Sequence, residues 1–66
     1  MKIVVNGETK EVPGEMDLGE LLERLSMPVE RIAVELNKKV VPKRAWREVF
    51  VRDGDNLEIV HFVGGG

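Results

Sequence analysis

Met1-Lys2-Ile3-Val4-Val5-Asn6-Gly7-Glu8-Thr9-Lys10-Glu11-Val12 opens the chain, and its reading decides the fold. A β-branched run stops at Asn6-Gly7, the dipeptide best suited to a two-residue hairpin turn with positive φ at both positions. Residues 1–5 and 8–12 are therefore predicted to pair as antiparallel strands. Pro13-Gly14 closes the second strand, because proline has no N–H for the ladder and glycine permits the turn.

Working outward, Asp17 is a good N-cap with Glu20 three residues on, and Met16 and Leu21 sit at the spacing of a hydrophobic staple around it. Leu18, Leu21, Leu22 and Leu25 share one face at 3.6-residue periodicity. Glu20, Glu23 and Arg24 face water, and Glu20 stands four residues before Arg24 in the favourable polarity. Pro28 biases Met27 away from helical backbone, so the helix is predicted to end near Ser26. Residues 31–36 then alternate with period two, placing Ile32, Val34 and Leu36 inward, and a turn at Asn37-Lys38 or Lys38-Lys39 leads into Val40-Val41. Pro42 stops that short strand. Over residues 43–51, Trp46, Val49 and Phe50 fit a single amphipathic turn better than an extended strand. Arg52-Asp53-Gly54-Asp55-Asn56 reads as a turn, followed by a last strand from Leu57 to Phe62 or Val63 and by Gly64-Gly65-Gly66.

This order gives an α+β chain of the ubiquitin-like β-grasp type: a mixed four- to five-stranded sheet with one helix laid across one face. Residues 1–63 are expected to form the domain and residues 64–66 a flexible glycine tail. The final strand is expected to insert parallel to the first, so that the tail leaves near the Asn6-Gly7 turn. Alternation sends Leu57 and Ile59 inward and Glu58, Val60 and Phe62 outward, with Lys2 and Val4 on the same side. Val4, Val60 and Phe62 are thus the candidate docking surface beside the tail.

Composition limits what such a domain does. Sixty-six residues make a thin core that leaves little room for an enzyme pocket. Ten Lys or Arg stand against twelve Asp or Glu, with no like-charge run longer than two, which disfavours nucleic acid as a partner. The N-terminal apolar run is too short for a signal-peptide core or a membrane span, so the chain is expected to be cytoplasmic, with no membrane partner. Without cysteine there are no disulfides, no thiolate metal sites and no side-chain persulfide. His61 is the only histidine and has no second His or Cys to complete a metal set, and a structural role is expected of it. Asp53-Gly54-Asp55 lacks the remaining ligands of a calcium loop and is expected to be a turn. No catalytic residue and no metal site is assigned. Trp46 is expected to anchor the small core.

The three terminal glycines are a different matter. They have no use in packing and lose much freedom if ordered. Extended, they reach roughly 10 Å, enough to thread a carboxylate into a narrow active site while the folded body stays outside. An α-carboxylate is ionised at neutral pH and can attack an activated phosphate. Attack on the α-phosphate of ATP gives an acyl-adenylate, and a sulfur nucleophile then leaves a thiocarboxylate at Gly66. Sulfur would ride on the main chain, which fits the lack of cysteine; on the tail alone, a frayed end with no task is an equal alternative.

Over essentially its whole length the sequence resembles the ThiS family, the sulfur carriers of thiamin thiazole biosynthesis. The resemblance rests on Asn6-Gly7-Glu8, the leucine helix from Leu18 to Leu25, and Val34-Glu35-Leu36-Asn37. It continues through Val40-Val41-Pro42-Lys43-Arg44-x-Trp46, Asp53-Gly54-Asp55, and Glu58-Ile59-Val60 to the terminal glycines. The resemblance implies that a ubiquitin-activating-type adenylyltransferase (ThiF-like) adenylates Gly66, with Gly64 and Gly65 in its channel. It also implies that a sulfurtransferase supplies the sulfur and that thiazole synthase (ThiG-like) receives it. ATP belongs to the activating partner, and no cofactor is expected on this chain. The alternatives are the MoaD family, whose tail approach would be expected to contain a proline absent from Val60-His61-Phe62-Val63, and a β-grasp interaction module without carrier chemistry.

Overall fold

A computed structural model describes residues 1–62. Strands β1 (Lys2–Val5) and β2 (Glu8–Glu11) form the expected hairpin, with Val5 opposite Glu8. The turn carries φ of +50° at Asn6 and +84° at Gly7, as a two-residue connection between right-twisted strands requires. The N-terminal ammonium of Met1 donates to the Val12 carbonyl at 2.6 Å, which ties down the open end of the hairpin.

A two-residue strand, β3 (Met16–Asp17), precedes helix α1 (Leu18–Arg24). Asp17 caps the helix, its carboxylate accepting the Glu20 N–H at 2.8 Å, while the Glu20 side chain turns outward to Arg24 at 3.5 Å. The cap is thus the Asp17 half of a capping box. The helix stops where Pro28 predicts, but the closure itself is made by Ser26. Its φ of +57° lets the Ser26 N–H reach the Glu23 carbonyl and the Met27 N–H reach the Leu22 carbonyl, both at 3.0 Å. Leu18, Leu21 and Leu22 are fully buried, and Leu25 packs at the margin of the core.

A 3-10 turn at Val29–Arg31 leads into β4 (Ile32–Leu36), which pairs with β5 (Lys39–Val41) through a turn at Asn37-Lys38. Both turn residues have positive φ, +51° and +72°. A 3-10 helix over Lys43–Glu48 then carries Trp46 inward, where its indole N–H donates to the Val41 carbonyl at 3.0 Å. The amphipathic turn is therefore present and Trp46 is its anchor, but it ends before Phe50. Phe50 and Val51 instead form β6, which pairs with β3 in a second, two-stranded sheet. That pairing points Val51 into the core and leaves Phe50 on the surface, the reverse of what a continuous helical turn would do.

Strand β7 (Asn56–His61) completes a five-stranded sheet of order β2-β1-β7-β4-β5. It runs parallel to β1 and antiparallel to β4. The mixed sheet, the hairpin and the α-helix over one face make this a ubiquitin-like β-grasp fold. Ile3, Val5, Ile32, Val34, Leu57 and Ile59 form the sheet's contribution to a core closed by the helix leucines, Trp46 and Val51.

Asp53-Gly54-Asp55 is a turn, as predicted, and also a junction. Asp53 accepts the Lys2 N–H at 2.7 Å, while Asp55 accepts the Arg52 N–H at 2.8 Å and the Asn37 side-chain amide at 3.0 Å. The two carboxylates thereby fasten the entry of β7 to β1 and to the β4–β5 turn. Among the described residues no group of three or more His, Cys, Asp or Glu could hold a metal ion, and no helix is long and apolar enough to cross a membrane.

Candidate functional site

Strand β7 is central in the sheet, and in the sequence it is followed by Phe62, Val63 and the terminal glycines. Gly64, Gly65 and Gly66 lie outside the described residues, so the site is built from what surrounds the strand that delivers them. The hydrogen-bond register fixes which groups face which way. Phe62 donates its N–H to the Arg31 carbonyl and Asn37 donates to the Asn56 carbonyl, at 2.9 and 2.8 Å. The backbones of Asn56, Glu58, Val60 and Phe62 are therefore turned toward β4, and those of Leu57, Ile59 and His61 toward β1.

On the β1 side the strand ends at Val5, and the Asn6 side chain takes over its role. The Asn6 backbone N–H donates to the Leu57 carbonyl at 2.9 Å. Its side-chain oxygen then accepts the Ile59 N–H at 2.7 Å, and its side-chain nitrogen donates to the Ile59 carbonyl at 3.1 Å. One primary amide thus continues the parallel ladder past the end of β1. Sequence reasoning found Asn6 as a turn residue and missed this second task, although its primary amide, one donor beside one acceptor, is what makes the task possible.

The face of the sheet away from α1 carries the candidate docking residues. Val60 is 60% exposed and Phe62 49% exposed, both on the predicted side, while Leu57 and Ile59 are buried beneath. Ala33 stands directly beside Val60 across the β4–β7 ladder and is also exposed. Val4 lies opposite Asn56 and is half-buried. Four residues of strand, roughly 13 Å, separate that level from Val60, so Val60, Phe62 and Ala33 form one cluster and Val4 lies apart from it. Val40, 71% exposed, sits on β5 beside Glu35 and was not anticipated, because a three-residue edge strand gives too short a pattern to fix its facing. His61, expected to have a structural role, is exposed.

On the opposite side of the molecule, between α1 and the 3-10 helix, a shallow groove of about 250 Å³ is lined by Gly19, Glu23, Val29, Lys43, Trp46 and Arg47. Arg47 dominates it, donating to Glu23 at 2.9 Å and to Asp17 at 3.4 Å. The hydrogen bond to Glu23, then the charges of Glu23 and Asp17, push the guanidinium up from its ordinary value. These groups satisfy one another and staple the helix start to the 3-10 segment.

Against known proteins, the ThiS family model matches residues 3–66. The chain belongs to the ThiS family. A thiazole synthase of Paramagnetospirillum magneticum is 46% identical over 66 residues, taking in 100% of this chain but 20% of that protein. The chain thus spans a fifth of the length of that relative. The sulfur carrier protein ThiS of Bacillus subtilis is 40% identical over 60 residues, covering 86% of this chain and 91% of its own. The crystal structure of a thiamine biosynthesis protein (ThiS) from Geobacter metallireducens superposes with a TM-score of 0.89 at 36% identity, covering 100% of both chains. Of the two carrier families considered from sequence, the match is to ThiS, over strands, helix and terminal glycines alike.

Proposed function

We propose that this chain is the sulfur carrier of thiamin thiazole formation, with Gly66 as the atom-bearing terminus. The observation that carries the reading is the match of the ThiS family model through residue 66, glycine tail included. The Gly66 carboxylate attacks the α-phosphate of ATP held by a ubiquitin-activating-type adenylyltransferase, and pyrophosphate leaves. Persulfide sulfur on a sulfurtransferase then attacks the acyl carbonyl and AMP leaves, giving an acyl disulfide; a second thiol cleaves its S–S bond, forming a disulfide with the sulfurtransferase and releasing the thiocarboxylate on Gly66. Thiazole synthase takes the sulfur and returns the carboxylate. The likeness to a protein named thiazole synthase supports that last partner.

In this scheme the chain performs no catalysis of its own. It presents a carboxylate on a tail that only backbone occupies, and a docking face around Val60 and Phe62 from which that tail departs. Asn6 holds the last strand in register at Ile59, on the way to the tail. Gly64 and Gly65 occupy the partner's channel, where a side chain would clash.

The test separates folding from function. Deleting Gly66, or following it with one further residue, should leave the melting temperature unchanged, because neither touches the core. Both should abolish thiocarboxylate formation. Deletion draws the carboxylate back by about 3.3–3.6 Å, well beyond the roughly 1 Å misplacement that already costs ~10²-fold in rate. The added residue turns the Gly66 carboxylate into an amide, which does not attack ATP. Normal thiazole formation by the extended chain would overturn the carrier reading.

A further inference from the structure

Asn6 serves two parts of the fold at once, and the residue after it leaves its amide open to chemistry. Its backbone makes the hairpin turn with Gly7, while its primary amide accepts the Ile59 N–H at 2.7 Å and donates to the Ile59 carbonyl at 3.1 Å. Both turn residues are exposed. A Cβ built on Gly7 would find nothing within 4 Å, so the space beside it is open, and glycine has no side chain to shield its own nitrogen.

An asparagine followed by glycine loses its amide without an enzyme. The Gly7 nitrogen gives up its proton and attacks Cγ of Asn6. The new C–N bond closes a succinimide ring as the Cγ–Nδ2 bond breaks, and the nitrogen leaves with the proton as ammonia. Water then opens the ring. Addition at Cγ gives aspartate at position 6, whereas addition at the main-chain carbonyl gives isoaspartate, with the chain running through the side-chain carbons and the α-carboxylate left free. Water is the only co-reactant.

The resting geometry opposes this step, because Cγ must turn its face to the Gly7 nitrogen and both polar atoms on Cγ are held by Ile59. Neither product restores what is lost. A carboxylate only accepts, so one oxygen keeps the Ile59 N–H while the other meets the Ile59 carbonyl with no proton between them. Isoaspartate also adds a carbon to the main chain of a turn built for two residues. The other two asparagines lack the combination: Asn37 precedes Lys38 and Asn56 precedes Leu57, each with a side chain beside the attacking nitrogen.

We propose that Asn6 is a self-modification site. When its amide releases Ile59 it cyclises onto Gly7 and becomes a carboxylate, and the β1 side of β7 is then permanently without its clamp. The clamp protects the very group that makes it, and its loss runs one way. This concerns the folded chain itself and stands apart from the carrier chemistry of the tail.

The full chain is aged at neutral pH in buffer, in guanidinium chloride below the unfolding transition, and above it. Peptide mapping with fragmentation locates each exchange of an amide NH2 for OH, and hydrogen exchange of the Ile59 amide is followed under the two folded conditions. Asn6 should convert ahead of Asn37 and Asn56, about tenfold or more slowly in the folded chain than in the unfolded one. Below the transition its rate should rise in proportion to Ile59 exchange. The aged acidic species, isolated by ion exchange, and an Asn6→Asp chain should both exchange Ile59 faster and melt lower than the unaged chain. Conversion as fast when folded as when unfolded, or indifferent to Ile59 exchange, would overturn the protection by the clamp. Conversion at Asn37 or Asn56 with Asn6 intact would overturn the site, and an acidic species with unaltered Ile59 exchange and melting would overturn its consequence. The rate comparisons use the unmodified chain and do not depend on the variant folding.

Discussion

The two faces of the five-stranded sheet are made from the same strands and obey opposite rules. Under the helix, Ile3, Leu18, Leu21, Leu22, Val34 and Leu57 are sealed from water, and every one is aliphatic. On the open face Val60, Phe62 and Val40 remain exposed, beside Glu35 and Glu58, which stand opposite each other across β4 and β7. A small domain gains nothing in stability from that second arrangement. The covered face holds the fold together, and the open face leaves apolar side chains in water, where the proposed function would use them to meet a partner.

Substitutions under the helix should have the largest effect. Leu22→Ala removes a fully buried side chain and should cost about 2–5 kcal/mol in denaturant unfolding, a large share of what so small a domain possesses. Next is the Asn6 amide, at the boundary between the faces. Asn6→Gly keeps the positive φ but leaves the Ile59 N–H and carbonyl without their protein partners. A loss of about 1–3 kcal/mol is expected, together with faster amide exchange at Ile59. If Ile59 exchanged at its original rate, the amide would not be what holds β7 in place.

On the open face the order of effects inverts. Phe62→Ala and Val60→Asp should change stability by no more than about 1 kcal/mol, yet raise the apparent KM for adenylation roughly tenfold, equivalent to about 1.4 kcal/mol of docking energy. Equal KM for both variants and the unmodified chain would remove the patch from the account. The smallest effect is expected at Gly19, on the helix flank. A Cβ there would meet the Arg47 side chain at 2.8 Å. That chain is flexible at its outer end and can shift, and Gly19→Ala also gains about 1 kcal/mol of helix propensity. The weakened link from Arg47 to Asp17 offsets part of this, so melting should move by a degree or two at most, readable by calorimetry.

Local chemistry explains why the first half of the fold was legible in the sequence. Asn6-Gly7, Pro13-Gly14, the Asp17 cap and the leucine spacing each act within a few residues, and the structure follows them closely. The β3–β6 pairing was not legible, because two strands of two residues carry no period, and only their meeting decides that Val51 and not Phe50 turns inward. The same holds on the open face. Alternation was enough to send Val60 and Phe62 outward, whereas the Glu35–Glu58 pair exists only once β4 and β7 are in register. Asn6 lay in plain view as a turn residue, and its bonds to Ile59 depend on a strand 53 residues away.

The central claim concerns one oxygen atom of Gly66. Mass spectrometry of the chain after incubation with ATP, its adenylyltransferase and a sulfur donor tests it most directly, with fragmentation to locate the change. The account predicts a gain equal to the replacement of one oxygen by one sulfur, confined to the C-terminal residue, absent without ATP and absent when Gly66 is followed by a further residue. Sulfur found on any other residue, or on a chain blocked at Gly66, would contradict it.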